Sequence, residues 1–249
     1  MLTRSRRCGL VAAFVAAIIV VPSAQTQPQP KTAPKTVAAD KDTRPFTDEF
    51  HVEPGELGPT GRNPYFILEP GHYRVMKKGD EEVTITVLDE TKKVDGVETR
   101  VIEEKETKNG QVIEISRNFF AISKRTNNVY YFGEEVDIYE NGKIVEHTGA
   151  WLSGVKGAKY GLWMPGTILI GARFCNEVAP DAAMDRSEVV RLTATVETPA
   201  GTFKNCVTME DTTPLEPGVK EYKSFARGIG MVKDNNVELI KHGFLEKKK

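Results

Sequence analysis

The sequence predicts an all-β fold: a strongly curved antiparallel sheet, or half-open β-barrel, of meander hairpins with at most one short helix. Three observations predict it. Asp95-Gly96, Asn109-Gly110 and Asn141-Gly142 suit two-residue type I′ turns, which need positive φ at both central positions. The segments flanking them alternate apolar and polar residues with period two, which marks strands with one buried and one wet face. Helical patterning is nearly absent, and the one helix candidate is Pro180 to Asp185.

The elements follow in chain order. Arg4, Arg6 and Arg7 precede an unbroken apolar run from Leu10 to Val21, and Pro22, Ser23 and Ala24 then supply a break and small residues. Residues 1–24 therefore read as a cleaved secretory signal. The alternative is an N-terminal membrane anchor. The twelve apolar residues would rise about 18 Å as a helix, against a hydrocarbon core of roughly 30 Å. Cys8 precedes the apolar run, so it is not placed as the lipid-bearing cysteine of a lipoprotein. Residues 25–45, rich in Pro, Gln, Thr and Ala, read as a disordered spacer.

Residues 46–246 read as a single β domain, and 247–249 as a basic tail. Val83, Ile85 and Val87 are expected on the buried face of the first long strand. Val97, Thr99 and Val101 are expected to follow them after the first turn, and Ile113, Ile115 and Phe119 after the second. Glu103, Lys105, Glu114 and Arg117 are expected on the wet face. Val129 to Ile138, Val189 to Val196, Thr202 to Met209, Lys220 to Phe225, Gly230 to Val232 and Val237 to His242 supply further strands. A flat sheet of ten or so strands would expose long edges, so curvature toward closure is expected.

Composition excludes several classes. Of 249 residues, 39% are hydrophobic and 28% charged, which fits neither a disordered chain nor a multi-span membrane protein. The formal net charge is −1, and the predicted signal holds three arginines and no acid, so the remainder is more acidic still. That balance argues against nucleic acid as a partner. No transmembrane span is expected once the signal is removed.

Glu197-Thr198-Pro199-Ala200-Gly201-Thr202-Phe203, Cys206-Val207 and the run Tyr222 to Val232, with its Ala226-Arg227-Gly228-Ile229-Gly230-Met231-Val232, form a recognisable C-terminal pattern. It resembles exported bacterial β-rich proteins that are mostly uncharacterised and distantly similar to lipoprotein-carrier-like curved-sheet folds. Asn63 to Gly71 resembles a strand near the start of the same proteins. The resemblance implies a β fold and an exported location, and carries over no catalytic residue.

Sites of chemistry are sparse. Cys175 and Cys206, the two cysteines outside the signal, are expected to form a disulfide in an oxidising compartment. The four histidines, His51, His72, His147 and His242, show no metal-ligand spacing, and no nucleophile elbow or phosphate loop is present. No catalytic residue, metal site or cofactor is assigned. Adjacent acids such as Glu103-Glu104 and Glu134-Glu135 face opposite sides of a strand and form no catalytic pair. The strongest lead is the Gly- and Pro-rich stretch from Trp151 to Phe174. Trp151, Tyr160, Trp163, Met164 and Phe174 there either plug the concave side of the sheet or line a site for a hydrophobic ligand or acyl chain.

Three readings of function follow: a periplasmic or secreted binding or carrier module for a hydrophobic small molecule or lipid; an envelope-assembly protein with a filled core and a protein partner; and a hydrolase with dispersed catalytic residues. The first is preferred.

Overall fold

A computed structural model describes residues 44–246. The predicted signal, the last three residues and most of the predicted spacer lie outside that range. One 3-10 turn, Pro54–Glu56, precedes the strands. In chain order these are β1 (Leu57–Gly58), β2 (Gly61–Asn63), β3 (Phe66–Leu68), β4 (His72–Lys78), β5 (Glu81–Val94), β6 (Val97–Lys108), β7 (Gln111–Ser123), β8 (Val129–Glu140) and β9 (Lys143–Glu146). They continue as β10 (Trp151–Leu152), β11 (Lys159–Met164), β12 (Arg173–Cys175), β13 (Glu177–Val178), β14 (Arg186–Thr198), β15 (Gly201–Thr212), β16 (Glu221–Ala226), β17 (Gly230–Asp234) and β18 (Val237–Phe244).

Thirteen of these strands form one nearly closed, barrel-like antiparallel sheet, in the order β12-β14-β15-β16-β17-β18-β4-β5-β6-β7-β8-β11-β13. Most neighbours are consecutive in sequence, as meander hairpins require. The three Asn/Asp-Gly turns have positive φ at both residues: 49° and 79° at Asp95-Gly96, 51° and 76° at Asn109-Gly110, 52° and 74° at Asn141-Gly142. These are the backbone signs of type I′ turns, whose twist matches that of the flanking strands.

The two ends of the sheet meet in one short stretch. Cys175, the last residue of β12, pairs with Arg186 of β14, and Glu177, the first of β13, pairs with Tyr160 of β11. Asn176 between them joins both sides. Its side-chain Nδ2 donates to the Leu162 carbonyl of β11 at 3.1 Å, and its Oδ1 lies 2.9 Å from the Ser187 hydroxyl of β14. The segment from Arg44 covers this seam. Thr47 forms a parallel bridge with Phe174, and the Phe46 ring lies 4.0 Å from the Arg173 guanidinium and 4.6 Å from that of Arg186. Covering an edge in this way limits pairing with other chains.

A small two-stranded sheet, β2-β3, packs against β7 on one wall and β17 on another. Phe66, Ile67 and Leu68 are buried in it. Asn63 donates to the carbonyls of Asn127 and Pro165, and the Gly228 amide donates to Pro64. This hairpin, not the stretch from Trp151 to Phe174, bridges the turns at one end of the barrel. Trp151–Leu152 and Lys159–Met164 instead pair with β8 as wall strands.

Two local expectations change. Pro180 to Asp185 forms no helix: an Ala179–Ala183 bridge closes it as a tight turn, with Asp181 at φ 64°. The inner face of β7 also has the opposite parity to the one expected. Ser116 and Asn118 are buried and Glu114 is half-buried on the same face, while Ile113 and Ile115 are half-buried on the other. The cause is register. Arg74, Ile85, Glu104, Ser116 and Val136 lie level across β4 to β8, so Ser116 shares the face of the buried Ile85.

Candidate functional site

The interior of the barrel is the candidate site, and it divides into an aromatic part and a polar part. The aromatic part centres on Tyr131 of β8. Its ring stacks on Phe120 at 4.7 Å and meets the edges of Trp151 at 5.2 Å and Trp163 at 5.5 Å. Its hydroxyl donates to Asn118 Oδ1 at 2.6 Å, which satisfies the polar end of a buried ring. Phe66 of the end hairpin completes the group at 5.1 Å from Phe120.

Of the five residues expected at a ligand site, the structure brings Trp151 and Trp163 together around Tyr131. Met164 is fully buried at the end of β11, and Phe174 is buried on β12 at the seam. Tyr160 stands apart. It stacks on Phe132 at 4.7 Å, meets Tyr130 edge-on at 5.9 Å and donates its hydroxyl to the Phe50 carbonyl. Neighbouring residues on a strand point to opposite faces, so Tyr130 and Phe132 place this second group on the outer side of β8, beneath the incoming chain.

The expected disulfide is not formed; Cys175 and Cys206 are free thiols. The register explains why. Cys175 pairs with Arg186, which pairs with Thr212 of β15, whereas Cys206 lies six residues back along β15. Six strand residues span about 20 Å, far beyond the roughly 4–7 Å between the Cα atoms of a bonded pair. Burial pushes the Cys175 thiol up to about 11 and also raises Cys206.

The polar part carries a large excess of acid. One inward row runs Met76, Val83, Glu106, Glu114, Ile138, and another runs Val87, Ile102, Asn118, Glu134, Trp151. With Glu104, these rows put four glutamates on one wall. Across the barrel, Val189, Met209, Lys223, Asp234 and Val237 lie level on β14 to β18. Lys223 donates to Asp211 at 2.6 Å, both residues buried, and its ammonium lies 5.7 Å from the centre of the Trp163 ring. Glu177 and Asp185 adjoin at the seam, where the Asp185 amide donates to Glu177 Oε1 at 2.6 Å.

Burial dominates the electrostatics. It lifts Glu104 well above the usual carboxylate range, with Glu106 adding to the effect and Arg74 opposing it. It does the same to Glu106, with Glu114 adding, and to Glu177, with Asp185 adding. Glu114 and Asp185 are raised to about 7, again by burial first. Burial pulls Lys223 down, but Asp211, Asp234 and Asp185 together hold it above its ordinary value. Arg74 is lowered by burial to about 10. Burial therefore favours the neutral form of each of these acids, as a low-dielectric interior demands.

Several interior polar atoms have no hydrogen-bond partner: the indole nitrogen of Trp151, Nε of Arg74, Oε1 of Glu104 and Oε2 of Glu177. All four residues are at least nine-tenths buried. Sequence reasoning missed the three charged ones because period-two patterning assigns buried faces to apolar residues. The doublets Glu103-Glu104 and Glu134-Glu135 were the available signal, since one acid of each must face inward. Among the described residues, no three His, Cys, Asp or Glu side chains converge as a metal ion would require.

No family model matches the chain. No curated protein matches it either. Among solved structures it has distant similarity to a putative lipoprotein from Parabacteroides distasonis, at 11% identity and TM-score 0.36, over 70% of this chain and 96% of that one. A second is the hypothetical protein CT021 from Chlamydia trachomatis, at 10% identity and TM-score 0.24, over 71% of this chain and 88% of that one. Among the described residues, no helix is long and apolar enough to cross a membrane.

Proposed function

We propose that this chain is an exported binding or carrier module that holds a small apolar or amphipathic molecule inside its barrel. Export is inferred from the N-terminal signal pattern, and the apolar surface for such a molecule is the group of Trp151, Trp163, Phe120 and Tyr131. One observation carries the reading. The Trp151 indole nitrogen, in that group, has no partner, as is true of carboxylate oxygens on Glu104 and Glu177. Buried polar groups in folded proteins are nearly always satisfied, so water or a bound molecule supplies the missing contacts.

A second reading, an envelope-assembly protein with a filled core, draws support from the ring contacts themselves, which are as close as 4.7 Å. It also draws on Leu169 and Ile170, which are exposed just before β12. Native mass spectrometry of the mature protein separates the two. The binding reading expects a recurrent small-molecule adduct that is lost on Trp163→Ala. A clean apo mass, with no uptake of added short-chain alcohols, acids or amines, supports the filled core.

A further inference from the structure

We propose that Arg74, at the end of the barrel bridged by the β2-β3 hairpin, is an oxyanion site: it holds the carboxylate or phosphate head of an amphipathic molecule whose tail lies toward Phe66 and Phe120. This rests on the binding reading above and names its ligand class.

The first argument is an arginine without a partner. Arg74 is 4% exposed, and among the described residues nothing hydrogen-bonds or ion-pairs with its guanidinium. Burial lowers it to about 10, so it stays charged at neutral pH. Arg100, buried to a similar degree on β6, shows how this chain satisfies such a group. It donates to the carbonyls of Pro59, Leu88 and Glu90 and to the Thr60 hydroxyl. Position 74 has no equivalent set. A buried charge left unpaired is strongly destabilising, so its partner comes from outside the chain and must accept hydrogen bonds.

The second argument is space and surroundings. Arg74 shares the inner face of β4 with the buried Met76 and reaches across β18 to Gly230 of β17. A methyl group at position 230 would sit 2.4 Å from Nη1 of Arg74, and Gly230 has a φ of 101° that side chains rarely adopt. Glycine there keeps room for the guanidinium. Its other neighbours are basic or neutral. His242 is its cross-strand partner on β18, and His72 lies two residues back on the same face of β4. Burial first, then Arg74, keeps His72 neutral at pH 7. Two acids lie nearby. Glu69 is held by Arg62 in two hydrogen bonds of 2.6 Å. Glu104 is two strands away across Ile85, makes no ion pair with Arg74, and is favoured by burial in its neutral form.

The third argument joins this charge to the aromatic group. The Tyr65 carbonyl of the β2-β3 hairpin lies 3.6 Å from the same point at Gly230. The next residue, Phe66, packs on Phe120 at 5.1 Å, and Phe120 meets Trp163 at 5.6 Å. A head seated on Arg74 therefore has the apolar group one hairpin residue away. A carboxylate or phosphate supplies charge and several acceptor oxygens to a guanidinium, which pairs with either in a two-pronged geometry.

The test compares four probes with one tail: octanoate, octyl phosphate, octanol and octylamine, titrated calorimetrically into the mature protein near neutral pH. At least one of the two anions is expected to bind about tenfold more tightly than octanol, with octylamine weakest. The tighter of the two names the head. Arg74→Met is expected to erase the preference for the anion while leaving octanol affinity unchanged. Lys241→Gln, at an exposed lysine on the outer face of β18, should keep it. Without ligand, Arg74→Met should unfold at a urea concentration no lower than the unaltered protein, because it sheds an uncompensated buried charge. A large drop would mean that the guanidinium already has a partner inside the protein, and overturns the oxyanion proposal. The comparison of heads on the unaltered protein needs no variant to fold. Octanol or octylamine binding as tightly as both anions, or an anion preference that survives Arg74→Met, overturns the oxyanion proposal and leaves the binding reading standing. Failure of all four to bind overturns the binding reading itself.

Discussion

Gly161 of β11 lies against Asn176 so closely that a methyl group at position 161 would sit 2.4 Å from the carbonyl oxygens of both Cys175 and Asn176. Glycine lets the two ends of the sheet approach at the seam, and the Asn176 side chain then links Leu162 on one side to Ser187 on the other. Gly161→Ala forces backbone apart from backbone, which no side-chain rotation relieves. The expected loss is about 1–3 kcal/mol of unfolding free energy by urea titration. Gly55→Ala, where nothing lies within 4 Å of the added carbon, is the matched control and should be nearly neutral. Equal effects at the two positions would show that the seam is not closely packed.

Asn176→Leu tests the same seam from its other side. The substitution strands the Leu162 carbonyl, which accepts from the Asn176 amide in a buried setting. Leaving a buried acceptor unpaired costs about 1–3 kcal/mol. Amide hydrogen exchange should quicken first in β11 and β14, because the seam opens before the hairpins do. Uniform loss of protection across all strands would refute a local role for Asn176.

How much of this was legible in the sequence depends on which physical signal each residue carries. Asp95-Gly96, Asn109-Gly110 and Asn141-Gly142 announced their hairpins because a two-residue turn with positive φ admits few residues. Val83, Ile85 and Val87 announced a buried face because they are apolar and alternate. Glu104 and Glu106 are buried too, but an acid at a strand position reads as solvent-facing, so the polar interior was hidden. The same rule put Glu114 on the wet face, whereas register carries it inward level with Val83. Closure at Asn176 was invisible for another reason: β12 and β13 are only three and two residues long. The tryptophans were recognised as a cluster, yet their place in the wall depends on pairing with β8, and nothing in the sequence of β10 or β11 names that partner.

The Lys223–Asp211 pair offers a sharp energetic test. Both groups are buried and 2.6 Å apart, and Ser187 Oγ lies 2.6 Å from the other Asp211 oxygen. Lys223→Met removes the ammonium bonded to that carboxylate. A buried charge left unpaired costs about 3–5 kcal/mol, so the single variant should be severely destabilised. Lys223→Met combined with Asp211→Asn removes both charges and should recover part of the loss. A double variant no more stable than the single one would show that the pair acts through packing and not through charge.

The thiols have a direct chemical readout. Cys175 is held at about 11 by burial, so little thiolate is present at neutral pH, and Cys206 is fully buried. Native protein lacking residues 1–24 should react slowly with iodoacetamide. Unfolded without reductant, it should take up two labels per chain, because neither sulfur is tied up. An intact mass two hydrogens lighter, with no labelling, would instead require β12 and β15 to be displaced along each other by several residues.

The interior acids set the direction of the pH dependence of stability. Glu104, Glu106 and Glu177 titrate well above their unfolded values, and Glu114 and Asp185 near 7, all because burial penalises their charged forms. Unfolded carboxyls titrate at about 4. Between there and the folded values the native state binds more protons than the unfolded one, so stability falls as pH rises. His72 works in the opposite sense. Burial first, then Arg74, lower it to about 3, so its contribution is complete above the ordinary imidazole value and is lost as pH falls toward 3. Five acids outweigh one histidine where the windows overlap. Unfolding free energy measured by urea titration should therefore decline from about pH 5 to about pH 8. Glu104→Gln replaces an acid whose neutral form burial favours with an isosteric amide, and should flatten the decline without lowering stability at the acidic end. A profile that instead rises over this range would mean that these carboxylates are ionised and paired inside the barrel, and the excess of buried acid would then need a cation already in place.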